Sequence, residues 1–165
     1  MGVLDEAIAL EERAQRMYLE ASRTMTDPGA TMLTELLADE EGKHAAALRR
    51  MKAGVEDLPT DLGRPSLLDE VSELVGASVE GGAKTLFSDL SMRELLQRAM
   101  EIERQTERFY EEHADGAEDP SLKELFAQLA EREGQHYLLA SSLLEYFDRP
   151  AEWVESAEFG LRPEY

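Results

Sequence analysis

Glu41-Gly42-Lys43-His44 and, 92 residues further on, Glu133-Gly134-Gln135-His136 are the two stretches on which the reading of this chain turns. In each, a carboxylate and an imidazole are three residues apart, a spacing that puts both on one face of a helix and aims them at one point. One Glu-x-x-His carries little weight in a chain with 26 glutamates and three histidines. The register around the two motifs carries much more. Moving the chain along itself by 92 residues, without a gap, lays Ala7 on Ala99, Glu11 on Glu103, Arg16 on Arg108, Tyr18 on Tyr110 and Glu20 on Glu112. The same shift lays Asp27-Pro28 on Asp119-Pro120, Leu33 on Leu125, and Leu37-Ala38 on Leu129-Ala130. Each Glu-x-x-His follows, 30 residues on, another glutamate of the preceding segment, Glu11 or Glu103. The chain is therefore read as two related hairpins.

Outward from the motifs, apolar residues recur at helical spacing. Val3, Leu4, Ala7, Ile8, Leu10, Ala14, Met17, Tyr18 and Ala21 form one stripe of a helix from Val3 to about Met25. Asp27-Pro28 supplies an N-cap and a proline at the first helical position. A second stripe follows, with Met32, Leu33, Leu36, Leu37, His44, Ala47, Leu48 and Met51. Between about 54 and 90 glycine, proline and serine become frequent, which predicts a crossover, with a short helix inside it over Leu67 to Val75. Ser91-Met92-Arg93-Glu94 has the form of a capping box and opens a third helix to about Ala114, and Asp119-Pro120 opens a fourth to about Phe147. Two short connections and one long one describe an all-α, ferritin-like four-helix bundle over residues 1–147. Residues 148–165, with Trp153, Phe159 and Tyr165, have no sustained period and are expected to form a C-terminal extension packed on the bundle or on a partner subunit.

Composition narrows the chemistry. The 165 residues suffice for one domain, and 42% apolar content suffices for a core. There is no cysteine, so disulfides, iron-sulfur clusters, zinc ribbons and thiol nucleophiles are excluded within the chain. A formal net charge of -19 opposes binding to nucleic acid or to an anionic membrane and favours cations. Neither a signal peptide nor a membrane span is legible, and a cytoplasmic location is expected.

The polar groups then need an explanation, because they interrupt the core stripes. Glu11 falls among Ile8, Ala14 and Tyr18, and His44 among Leu37, Leu48 and Met51, where solvated glutamates and satisfied histidines would lie on the opposite face. Four inward carboxylates would repel one another at severe desolvation cost unless cations lay between them. Glu11, Glu41, His44, Glu103, Glu133 and His136 are accordingly the candidate ligands of two metal ions. An oxygen-rich set with two nitrogens suits iron or manganese, with zinc as an adventitious occupant. Tyr18 and Tyr110, two turns beyond Glu11 and Glu103, can reach a ligand carboxylate with a hydroxyl, or serve as plain core. Gly42 and Gly134 cost about 1 kcal/mol each in helix propensity and suggest close helix approach or clearance for ligands. His113 has Ala21 as its counterpart and is read as a helix C-terminal residue, outside the ligand set.

These residues resemble the rubrerythrin-like branch of the ferritin-like superfamily, through Glu11-x-x-Ala14-x-x-Met17-Tyr18, Glu41-x-x-His44, Glu103-x-x-Thr106-x-x-Phe109-Tyr110 and Glu133-x-x-His136. The resemblance implies a di-iron centre that reacts with hydrogen peroxide or dioxygen, cycles between diferrous and diferric states, and defends against oxidative stress. It implies carboxylate ligation by Glu11, Glu41, Glu103 and Glu133 and nitrogen ligation by His44 and His136. The chain departs from the pattern twice. The cysteines of a rubredoxin domain are missing, which calls for a separate electron-donor protein, and Thr106 stands where rubrerythrins carry an additional third-helix glutamate. Glu107 is the nearby substitute. The remaining set is equally similar to a bacterioferritin ferroxidase centre, so ferroxidase chemistry for iron detoxification or storage is the second reading. Manganese catalase chemistry is a minor one. A non-catalytic metal-binding bundle that docks a partner through the segment around Trp153 is the third class. A homodimer is the expected assembly, from the prevalence of twofold pairing.

Overall fold

The second helix of each hairpin opens on the same Asp-Pro pair. The Asp27 carboxylate accepts the Ala30 N–H at 2.8 Å, and Pro28 takes the first helical position, where its missing N–H costs nothing. Asp119, ahead of Pro120, accepts the Ser121 N–H at 2.9 Å. The computed structural model describes residues 2–55, 62, 71 and 90–148. Within them lie four helices: α1 (Val3–Thr24), α2 (Pro28–Lys52), α3 (Leu90–Gly116) and α4 (Pro120–Asp148). α1 packs along α2 and α3 along α4, giving the two antiparallel hairpins of a ferritin-like four-helix bundle.

The core is divided into two apolar clusters. One gathers Met17, Leu33, Leu37, Met92, Leu95, Leu96, Leu139 and Leu143, from the C-terminal half of α1, the first half of α2, the start of α3 and the end of α4. The other gathers Ala7, Ala47, Leu48, Ala114, Leu125, Phe126 and Leu129, from the opposite halves of the same helices. Burying each leucine or phenylalanine contributes about 1.5–3 kcal/mol. The six candidate ligands stand in the middle turns of the helices, between the two clusters.

This arrangement also explains the crossover. α2 ends in one cluster and α3 begins in the other, so the chain must travel the length of the bundle, about 37 Å for a helix of 25 residues. The two described residues of that connection fit the path. Leu62 is buried in the cluster where α2 ends, and Val71, which is helical, is buried in the cluster where α3 begins. The rest of the expected short helix over residues 67–75 lies outside the described residues, as does the extension over 149–165. Two expectations are corrected. Leu90 is already helical, so α3 begins before the expected opening at Ser91, a displacement within the usual drift of helix ends. Met32 is 40% exposed, because one residue, or about 100° of helix turn, separates it from Leu33, which takes the buried position.

Candidate metal centre

All six residues expected from the sequence come together. Glu11, Glu41, His44, Glu103 and Glu133 have no exposed surface and His136 is 3% exposed. They form two groups that share a pair of carboxylates: Glu11, Glu41, His44 and Glu133 make one, and Glu41, Glu103, Glu133 and His136 the other. In each group one ligand atom from every residue lies within 4.8 Å of all the rest. His44 Nδ1 is 2.9 Å from Glu133 Oε1 and 3.3 Å from Glu11 Oε2. His136 Nδ1 is 2.9 Å from Glu41 Oε1 and 3.8 Å from Glu103 Oε2. The imidazole rings stack at 5.7 Å, 17° from parallel.

The tyrosines join the hairpins across this layer. Tyr18 on α1 donates its hydroxyl to Glu103 Oε1 on α3, and Tyr110 on α3 donates to Glu11 Oε1 on α1. Each holds one oxygen of a carboxylate and leaves the other facing the centre. The outer nitrogens of the histidines are held as well. His44 Nε2 lies 2.8 Å from the carbonyl oxygen of Leu62, and His136 Nε2 lies 2.9 Å from Glu40 Oε2. A carbonyl only accepts, so His44 Nε2 carries the hydrogen, and a carboxylate acceptor assigns the same tautomer to His136. In the neutral rings both Nδ1 lone pairs then point inward.

What remains is a set of eight inward atoms. Glu11 Oε2, both oxygens of Glu41 and of Glu133, Glu103 Oε2 and the Nδ1 atoms of both histidines are buried and have no hydrogen-bond partner among the described residues. Buried polar atoms in such number are normally satisfied. Their convergence, six oxygens and two nitrogens in two groups with shared carboxylates, is a donor set that could hold a pair of divalent cations.

The comparisons agree with this geometry. The family model described as Rubrerythrin matches residues 2–144. The chain belongs to the rubrerythrin family. Comparison with curated proteins and with solved structures gave no significant match. The family is a ferritin-like di-iron family, and no helix among the described residues is long and apolar enough to cross a membrane.

With protons as the compensating charge, the rubrerythrin-type layer is strongly perturbed. Burial pushes the Glu11 carboxyl up to about 8, Glu41 adds to the rise, and His44 opposes it. Glu133 is lifted well above the carboxylate range by burial and then by Glu41, Glu11 and Glu103. Burial also pushes Glu41 upward, but the imidazoles of His136 and His44 outweigh it and hold that carboxyl below its ordinary range. For both histidines burial favours the neutral ring, yet the surrounding carboxylates prevail and raise them well above the ordinary value. Burial, followed by the neighbouring Glu103 and Glu11 respectively, raises Tyr18 and Tyr110, so both remain hydroxyl donors at neutral pH.

Several individual expectations are decided here. Glu107 is not in either group: it pairs with Arg104 at 2.7 Å and lines an open groove of about 840 Å³ on the outer side of α3 and α4. Thr106 is buried and donates to the Ile102 carbonyl at 3.0 Å, a satisfied helical threonine. His113 Nδ1 lies 2.7 Å from the Phe109 carbonyl in the last turns of α3, away from the centre. Gly42 and Gly134 provide clearance. A Cβ at Gly42 would stand 2.5 Å from Gln15 Nε2, and one at Gly134 would stand 2.9 Å from Glu107 Oε1. The sequence reading missed Glu40, which is 3% exposed, and the Leu62 carbonyl. Glu40 directly precedes Glu41 and so lies on a different face of the helix, a position the i, i+3 pattern does not mark.

Proposed function

We propose that this rubrerythrin-family protein is a cytoplasmic di-iron oxidoreductase that reduces hydrogen peroxide, or dioxygen, in defence against oxidative stress. The observation that carries the reading is the pair of buried four-residue groups sharing Glu41 and Glu133. Glu11 and His44 would hold one iron, Glu103 and His136 the other, and Glu41 and Glu133 would bridge them. Three carboxylates and one imidazole per ion favour iron(II) over softer metals, with manganese next. Bound iron supplies the two electrons needed to break the oxygen–oxygen bond.

The chain's own residues do the rest. Tyr18 and Tyr110 fix the orientation of Glu103 and Glu11, so the carboxylates need little reorganisation when they ligate. The apolar clusters on both sides of the polar layer keep bulk water out and strengthen the electrostatics within it. These 165 residues contain no cysteine for a rubredoxin-type carrier, so the reading calls for a reductant outside them. Ferroxidase chemistry is the second reading, favoured by Thr106 at the place of the additional carboxylate and by the outward position of Glu107.

The test is an anaerobic iron(II) titration of metal-free protein, followed by one equivalent of hydrogen peroxide. Saturation at two irons per chain and rapid ferric absorption, both lost in Glu41→Ala, support the proposal. Continued oxidation of many irons per chain by dioxygen selects the ferroxidase reading. Two bound irons inert to both oxidants leave a non-catalytic metal-binding bundle.

A further inference from the structure

The repeat that builds the centre reverses its charge at a buried glutamate directly beside the ligands. Under the shift that superimposes Glu41 on Glu133 and His44 on His136, Glu40 falls on Arg132, a reversal of charge. Glu40 has a side chain only 4% exposed, and its Oε2 accepts from His136 Nε2 at 2.9 Å. Arg132 has no acceptor to offer the other imidazole and instead donates to Gln135 Oε1 at 3.0 Å. His44 Nε2 is served by a backbone group from the crossover, the Leu62 carbonyl at 2.8 Å. The inner ligands of the two groups match, three carboxylates and one imidazole each, while the outer partner is an anion on one side and a neutral dipole on the other.

We propose that Glu40 is a positioning residue that makes the two metal positions unequal, so that the group containing His136 takes its divalent cation first and more tightly. The inference rests on the metal-centre reading above. Two physical effects act in the same direction. A carboxylate that accepts the N–H of a ligand imidazole makes the other nitrogen a stronger donor than a carbonyl does, and it locks the ring in the ligating tautomer. Glu40 also adds a fourth carboxylate to one group, one ring's width from the cation, in a buried layer where charge is poorly screened. Partners of this kind are worth about 10–100-fold in metal affinity.

Cobalt(II) added to the metal-free full chain gives the test, with calorimetry for the affinities and proton NMR for the shifted Nε2–H signals of the two ligand imidazoles. Two resolved binding steps are expected, at least about 10-fold apart. The Nε2–H of His136 should shift in the first step and that of His44 in the second. In Glu40→Gln, which keeps the size and an acceptor oxygen, the first step should weaken about 10–100-fold and merge with the second. The order of filling in the unmodified chain is decisive even if that variant fails to fold. Two indistinguishable cobalt ions, or His44 shifting first, would overturn the inference and leave the metal centre standing. No cobalt binding at all would overturn the metal centre itself, and this inference with it.

Discussion

The first hairpin and the second are alike on the inside and different on the outside. Glu11, Tyr18, Glu41 and His44 have identical counterparts in Glu103, Tyr110, Glu133 and His136, and the contacts among them follow the same twofold pattern. One layer out the pattern dissolves. Gln15 lies over Gly42 and donates to the Ala38 carbonyl at 3.2 Å, whereas its counterpart Glu107 lies over Gly134 and pairs with Arg104. The exposed Leu19 stands opposite Glu111 in the repeat, and Ala21 opposite His113. The difference teaches that the twofold relation belongs to the six inward groups and the two tyrosines, and that the hairpins diverge one layer out, both at the outer nitrogens of the histidines and where they meet solvent.

The largest test of that division is pH. Glu11 has an ordinary value of 4.5 and is pushed up to about 8 in the fold, so between those values the folded metal-free protein holds a proton that the unfolded chain has released. Its contribution to stability is complete below 4.5 and is lost as pH rises through about 8. The raised histidines act in the same direction from their ordinary 6.5 upward. The melting temperature of metal-free protein should therefore fall between pH 5 and pH 8, by an amount on the order of several kcal/mol in stability. A flat profile would show that the layer is not the shared, buried unit described here.

Next come Leu37 and Leu129, equivalent residues that are 4% and 0% exposed in opposite apolar clusters. Leu37→Ala and Leu129→Ala should each cost about 2–5 kcal/mol in urea unfolding, by similar amounts. Tyr18→Phe and Tyr110→Phe sharpen the comparison at the centre. Each removes the donor to a buried carboxylate oxygen and should cost about 1–3 kcal/mol in the metal-free protein, again as a matched pair. The smallest effect is the one in which the hairpins should part. Alanine favours a helix by about 1 kcal/mol over glycine, and in Gly134→Ala the partly exposed Glu107 can swing outward, so that variant should be neutral or slightly more stable. In Gly42→Ala, Gln15 loses its bond to Ala38 and the gain is cancelled. Equal unfolding midpoints for the two variants would count against divergence of the outer layer.

The inner layer was legible in the sequence because helical phase and the repeat speak about the same residues. Glu11 and His44 interrupt apolar stripes, and each has an identical counterpart, so both signals select them independently of the many other glutamates. The helix starts at Asp27-Pro28 and Asp119-Pro120 were legible for the same reason. Glu40 was not, because its counterpart in the repeat is Arg132 and it sits beside a stronger candidate. Leu62 was beyond reach in principle, since the group that matters is a backbone carbonyl that every residue possesses. Glu107 shows the opposite failure. One turn from Glu103 it fits the spacing of a ligand, but a helical residue four positions on is rotated by about 40°, and the side chain leaves on the outer side.

The position of the six groups in the middle turns of long helices has one further consequence. Helix ends bring partial charges that can offset an anion, but their influence fades within a turn, and none of the ends lies in this layer. The four carboxylates can be balanced only by mobile positive charge, so the centre behaves as an ion exchanger. Every divalent cation that enters must expel protons from Glu11, Glu133 or the imidazoles into the surrounding solution. In the proposed metal centre acid would thus compete directly with metal, and filling it would acidify the solution.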